Sequence, residues 1–148
     1  MPENSETCSY DAIKLENQLC FPLYACSREI IKKYRPFLDK LDLTYTQYIA
    51  MMVLWEYGSV SVKELGKKLF LDSGTLTPAL KSLESKGFIS RKRSENDERV
   101  LIAEITDTGI KLKDEAVKIP SKIGSCVSLS QDEASTLYGL LYKILGQV

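Results

Sequence analysis

The 148-residue chain has no histidine, and its four cysteines (Cys8, Cys20, Cys26 and Cys126) include no pair at CxxC spacing. Cysteine–histidine zinc sites, cysteine–histidine nucleophile pairs and histidine general bases are therefore largely excluded. No metal and no cofactor are expected. No apolar run approaches the roughly 18 residues needed to cross a bilayer, so no membrane partner is expected. The N-terminal MPENSETCSYD is polar and acidic rather than basic and then apolar, which predicts no signal peptide. A cytoplasmic protein is expected, in a compartment that keeps thiols reduced, and a disulfide framework is not. Internal repeats and low-complexity linkers are also missing.

The composition, 44% apolar and 27% charged, is that of an ordinary soluble chain. The length fits a single domain, 1–148, with one sizeable core. Net charge is zero but unevenly spread. Residues 60–99 carry nine Lys/Arg against six Asp/Glu, and the flanking stretches are slightly acidic. That surplus permits a polyanionic partner without requiring one.

Apolar spacing predicts a helix over about 17–41, through Ile30, Ile31, Tyr34, Phe37, Leu38 and Leu41. Pro22 is compatible with a start near Cys20, and Pro36 should bend or interrupt the helix. The almost wholly apolar TQYIAMMVLWEY (46–57) predicts a buried helix ended by Gly58. Ser61 and Glu64 read as a capping box over a short helix with Val62, Leu65 and Leu69 inward. After the turn LDSG, Leu76, Leu80 and Leu83 form the buried stripe of a helix closed by Gly87. Phe88–Arg93 and Val100–Ile105 alternate as two strands joined by the turn SENDE. Thr106 begins a long helix that Pro120 kinks, and 131–145 form a last helix around Ala134, Leu137, Leu141, Ile144 and Leu145.

A short helix, a turn, a second helix and a hairpin make a mainly α fold, a winged helix-turn-helix with a β-hairpin wing. The core falls at about 46–106. Its N- and C-terminal helices, about 12–45 and 107–148, are too apolar to stand alone and should dimerise with a second copy. The outer face of helix 73–86 carries Ser73, Thr75, Thr77, Lys81 and Ser82, with Asp72 or Ser73 as its cap. Small hydroxyl residues at a helix start can approach base edges, and the helix dipole favours phosphate nearby. In RKRSENDER (91–99), Arg99 can enter a minor groove with Asp97 holding its guanidinium, while Arg91 and Lys92 meet phosphates.

The run LDSGTLTPALKSLESKGFISRKRSENDERVLIAEIT resembles the core of the MarR family of dimeric winged-helix regulators. The D-E-R followed by an apolar strand and I-T is similar to that family's wing. The resemblance implies a homodimer on double-stranded DNA carrying an inverted-repeat operator, not an enzyme. It also implies DNA contacts from Asp72, Ser73, Thr75, Thr77, Lys81, Arg91, Asp97 and Arg99, beside the Lys92 phosphate contact read from the wing itself.

Cys20 falls at the expected helix start, where the helix dipole favours the attacking thiolate form of a cysteine. Tyr24, four residues on, shares its face and could donate to it. Cys26, six residues on, faces about 240° away, and Cys8 is expected in a mobile tail. Buried cysteine is more often inert packing. However, LENQLCF with tyrosines at 24, 34 and 45 resembles the OhrR-type organic hydroperoxide sensors within the MarR family. That resemblance makes Cys20 the residue oxidised by organic hydroperoxides, with Tyr34 and Tyr45 reaching it from the partner subunit. It also implies release of the operator on oxidation, through a Cys20–Cys126 intersubunit disulfide or through capping by a small thiol. A repressor is the expected mode. Three alternatives stand beside it: a MarR-type repressor released by a small aromatic ligand, a thiol peroxidase, and a redox-insensitive DNA-binding protein.

Overall fold

In the computed structural model, which describes residues 10–146, the first long helix α1 runs from Cys20 to Leu38. Cys8 lies outside the described residues. The helix expected from 17 to 41 is trimmed at both ends by 3₁₀ turns, Leu15–Asn17 and Asp39–Leu41. Pro36 does not interrupt it. It falls in the last turn, where its missing N–H forfeits one helical bond, and the helix closes two residues later. The exit is a Schellman arrangement: Asp42 is left-handed (φ 54°), and Leu43 N donates to Leu38 O at 3.1 Å.

Helix α2, Tyr45–Tyr57, begins with a reciprocal cap in which Thr44 Oγ1 accepts from Gln47 N and Gln47 Oε1 accepts from Thr44 N. Its inner face is fully buried at Ala50, Met51 and Leu54, and Gly58 (φ 76°) ends it. The expectation of a buried helix is corrected at Met52 and Tyr57, which stand exposed in this chain.

Strand β1, Ser59–Ser61, is short and was not expected from its sequence; it is held by pairing with a strand more than 40 residues on. Helix α3, Val62–Leu69, starts where Ser61 Oγ accepts from Glu64 N, at 3.1 Å; the reciprocal half of the expected capping box is not formed. The turn to α4, Ser73–Ser85, is tight. A Cβ added at Gly66 would lie 2.9 Å from Leu71 O, so only glycine fits there. Leu76, Leu80 and Leu83 are buried as their spacing predicted.

Strands β2, Ile89–Arg93, and β3, Leu101–Ile105, form an antiparallel wing with Arg91 opposite Ala103, and β1 joins on the other edge of β3 in the order β1-β3-β2. The long helix expected after Thr106 is instead three short ones: α5 Asp107–Lys111, α6 Lys113–Ala116 and α7 Ile119–Gly124. The breaks carry i→i+3 bonds such as Lys118 N to Glu115 O (3.2 Å). Pro120 sits in the first turn of α7, where an amide is not needed, rather than kinking a continuous helix. Helix α8, Gln131–Leu145, is capped by Ser130 and Glu133.

One core runs from Leu38, Leu41 and Leu43 through α2 and the Leu76/Leu80/Leu83 stripe to Ala116, Ile119 and Ile123. Helix α8 is outside it: no α8 residue is buried, and Leu137, Tyr138, Leu140, Leu141, Tyr142 and Ile144 are exposed. Among the described residues no helix is long and apolar enough to cross a membrane.

Candidate nucleic-acid interface and thiol site

Because the leucine stripe turns one side of α4 inward, its opposite side is presented outward. Ser73, Thr75 and Lys81 are exposed, whereas Thr77 and Ser82 are half-buried. Asp72 caps the helix, its Oδ1 accepting from Thr75 N at 2.8 Å, so this carboxylate is occupied in holding the helix start. Gly87 (φ 79°) closes the other end, and Phe88 N donates to Leu83 O at 3.0 Å. The end is pinned further by Lys86, which donates to the carbonyl of Asp42 and to Gln47 Oε1.

The wing tip is organised around one carboxylate. Asp97 Oδ1 accepts from Arg99 N at 3.0 Å and from Arg99 Nε at 3.2 Å, and those bonds hold its carboxyl below the ordinary carboxylate range. The Arg99 side chain, fixed at its root, is 91% exposed. Lys92 leans on Glu104 at 3.0 Å but stays accessible. Arg91 does not turn outward to phosphates as expected. Its Nη2 donates to Glu84 Oε1 at 3.1 Å, its backbone N donates to Glu84 Oε2 at 2.9 Å, and its side chain is only 16% exposed.

A cleft of about 470 Å³ between α3, the start of α4 and the wing is lined by Ser61, Lys63, Ser73, Arg99 and Leu101. The sequence reading missed Lys63, exposed Arg93 and the Glu84 partner of Arg91. For Lys63 the available signal was its outward position between inward Val62 and Leu65. For Arg91 the signal was strand parity with buried Ile89.

The second cluster lies along α1. Cys20 is its first residue and is exposed. Tyr24 shares its helix face, but its hydroxyl accepts from Arg28 Nη1 at 3.0 Å and its ring lies under that guanidinium, so the expected Cys20–Tyr24 bond is replaced. Tyr34 packs edge-on to Tyr45, with 5.0 Å between ring centroids, and both touch Tyr48, which in turn meets Trp55. Burial, then neighbouring phenols, pushes the Tyr34 hydroxyl above its ordinary range. Burial does the same for Tyr45, so both remain protonated donors at neutral pH.

Cys126 is also exposed, beyond α7. Its Sγ donates to Lys122 O at 3.3 Å, and its carbonyl accepts from Lys33 Nζ at 2.9 Å. Lys33 is 13 residues beyond Cys20 on the same helix, about 20 Å at 1.5 Å per residue. Cys126, Tyr34 and Tyr45 therefore gather at one end of α1 and Cys20 stands at the other. No disulfide joins Cys20 to Cys126 within a chain in this arrangement, because a bridge tolerates at most about 7 Å between Cα atoms.

A family model described as "Transcriptional regulator SarA/Rot" matches residues 29–116. The organic hydroperoxide resistance transcriptional regulator of Bacillus subtilis is 51% identical over 136 residues, 92% of each chain. AbfR of Staphylococcus epidermidis, solved in reduced form bound to DNA, is 35% identical with a TM-score of 0.76, covering 93% of this chain and 96% of that one. A structure of disulfide-formed AbfR matches with a TM-score of 0.67 at 32% identity, covering 95% and 96%. A MarR mutant from E. coli complexed with operator DNA has a TM-score of 0.81 at 25% identity, covering 93% and 98%.

Proposed function

Because this chain belongs to the SarA/Rot family of MarR-type winged-helix transcriptional regulators, we propose that it is a redox-responsive repressor whose Cys20 senses organic hydroperoxides. The reduced protein acts as a homodimer, one 1–148 domain per copy. Its outer helices (about 12–45 and 107–148) form the dimer base and its core (about 46–106) forms the reading head. The six exposed large apolar residues of α8 support that pairing, since a 15-residue helix with no buried side chain gains nothing from its own chain.

Two such heads place their α4 helices in successive major grooves about 34 Å apart on an inverted repeat. Ser73, Thr75, Thr77 and Lys81 face the bases and backbone there. Lys92 meets phosphate, Asp72 holds the helix start, and Arg99, held by Asp97, enters the minor groove.

The observation that carries the sensing role is the division of parts along α1: the thiol at one end, the protonated phenols and second cysteine at the other. When a second copy packs with its α1 antiparallel, Cys20 of each chain meets Tyr34, Tyr45 and Cys126 of the other. The Cys20 thiolate attacks the outer oxygen of ROOH. With one proton taken up, this gives the Cys20 sulfenic acid and ROH. Cys126 Sγ of the second copy then displaces water, forming an intersubunit disulfide. The B. subtilis relative's description as an organic hydroperoxide regulator and the existence of disulfide-formed AbfR support this sequence.

Dragging the start of α1 towards Cys126 turns the two heads out of register. A loss of about 3–4 kcal/mol, a few hundredfold in affinity, clears an operator. The test is a mobility shift with and without cumene hydroperoxide: wild-type protein releases DNA on oxidation and Cys20→Ser does not. Release by Cys20→Ser at the same rate would refute the sensor role.

The small-ligand alternative can draw on an aromatic cleft of about 200 Å³ lined by Tyr48, Met52, Trp55, Lys113, Val117 and Pro120, below the roughly 300 Å³ at which ordinary ligand pockets begin, and on a cleft of about 490 Å³ lined by Ile31, Arg35, Leu43, Thr44 and Tyr45. It predicts that Cys20→Ser still releases DNA when a small aromatic ligand is added.

A further inference from the structure

Strand parity divides the basic residues of β2. Ile89 is buried, and Arg91 lies on the same side of the strand, directly opposite the fully buried Ala103, whose small side chain leaves room above it. Lys92 points the other way, to Glu104. The inward side of β2 faces the last turn of α4, where Glu84 offers both carboxylate oxygens: Oε2 to the Arg91 backbone N–H and Oε1 to Nη2. One carboxylate from the reading helix thus grips one wing residue by main chain and side chain together. The Nε of Arg91 is buried with no partner, so the guanidinium has given up solvent to sit there. The contact with Arg91 also holds the Glu84 carboxyl below its ordinary range.

We propose that Arg91 is not a DNA contact but a positioning residue, and that the Glu84–Arg91 clasp fixes the wing at a set distance from the reading helix. The clasp joins the two parts that must enter neighbouring grooves at once. It joins the last turn of α4, three residues before the closing Gly87, to the strand that leads into the Asp97–Arg99 tip. With the clasp closed, an α4 seated in the major groove brings Arg99 over the minor groove. With it open, the hairpin is still held at its base by buried Ile89 and Ala103 and by its pairing with β1, but its outer part loses its register with α4. The inference rests on the DNA-binding reading above and adds to it the part that sets the spacing.

The two roles for Arg91 predict opposite signs for one substitution. If Arg91 contacts phosphate, Glu84→Gln removes a negative charge near DNA, frees the guanidinium and tightens binding. If the clasp positions the wing, Glu84→Gln weakens binding about tenfold. Arg91→Met then weakens it by a similar factor, and the double variant is no worse than either single one, because one interaction is lost in all three.

The measurement uses full-length reduced protein and a labelled duplex enriched by the wild type from a random-sequence pool, titrated across a salt series. The slope of log affinity against log salt is read on Glu84→Gln: the clasp predicts a lower slope, because Lys92 and Arg99 leave the DNA with the wing, whereas an Arg91 that contacts phosphate predicts a slope at least as steep as the wild type's. In Arg91→Met both readings lower the slope, so that variant is judged by its affinity and footprint alone. Hydroxyl-radical footprinting gives a readout that general destabilisation would not: loss of minor-groove protection under the wing while major-groove protection by α4 persists. The swapped pair Glu84→Arg with Arg91→Glu restores part of the affinity and covers the case in which a single variant folds poorly. Tighter binding or an undiminished salt slope in Glu84→Gln, or wild-type affinity in both singles, each overturns the proposal. Failure of the wild type to enrich any duplex would instead overturn the DNA-binding reading beneath it.

Discussion

Mixing two variants that each lack one cysteine, Cys20→Ser and Cys126→Ser, tests the division of parts along α1 directly. In one chain, Cys20 opens α1 and Cys126 is tied to Lys33, 13 residues on, so they are separated by about 20 Å of helix. A disulfide needs Cα atoms within about 7 Å, and closing that gap inside a chain would require unwinding most of α1. Every Cys20–Cys126 bridge must therefore join two chains. Cys20→Ser homodimers have no attacking thiol, and Cys126→Ser homodimers have nothing to resolve the sulfenic acid, so neither forms a covalent dimer with organic hydroperoxide. If subunits are allowed to exchange freely, about half of the molecules become heterodimers. Each of these holds one complete pair, Cys20 from one chain and Cys126 from the other. A non-reducing gel should then show a covalent dimer in the mixture only, rising to about half of the protein. Two results would refute the reasoning: a covalent dimer from either variant alone, or oxidised wild type that stays monomeric on the gel while its mass shows the loss of two hydrogens.

Three further outcomes follow from particular contacts. Trp55→Phe keeps a ring in the aromatic row but removes the indole N–H that donates to the carbonyl of buried Gly109 at 2.9 Å. Urea unfolding should show a loss of about 1–3 kcal/mol, and an unchanged midpoint would mean that carbonyl has another partner. Asp72→Ala removes the acceptor for Thr75 N and should cost about 1 kcal/mol, whereas Asp72→Asn keeps the acceptor and should cost a few tenths at most. Equal losses in thermal melts of the two would point to charge rather than capping. The Asp97 carboxyl is held low by Arg99, so its brace is complete above the ordinary carboxylate pKa of about 3.9 and is lost only as pH falls through a still lower value. With no histidine in the chain and the Tyr34 and Tyr45 phenols pushed up, Cys20→Ser protein should bind DNA with affinity constant to about twofold between pH 6 and 8. A steep slope there, at fixed salt, would locate a titrating group that this account lacks.

Much of the reading head was legible because its signals are local. The spacing of Leu76, Leu80 and Leu83 gives the buried face of α4 whatever the helix packs against. Asp72 and Gly87 mark its ends by their own backbone chemistry. The wing tip is likewise local, since Asp97 and Arg99 are two residues apart and find each other without help from the fold. Errors arose where a residue's state depends on a distant partner. Strand β1 exists because β3 pairs with it. The segment after Thr106 reads as one helix by periodicity, yet it breaks where it wraps the core between Gly109 and Pro120. Gly109 itself is pressed so closely on the Phe88 carbonyl that any side chain would collide with backbone.

Local order along the chain is enough to give α4 an apolar and a hydroxyl-bearing face, to hold Arg99 by its own turn, and to open a helix at Cys20. Each depends only on residues within a turn or two of one another, where helix period, capping and turn geometry act directly. Tertiary structure alone decided that Arg91 turns away from solvent to Glu84 and that Lys33 ties down the Cys126 segment. It also decided that Tyr45, on α2, packs its ring against Tyr34 near the far end of α1 from Cys20. Those placements come from packing separate elements against one core, and packing fixes distances between residues that no local rule relates.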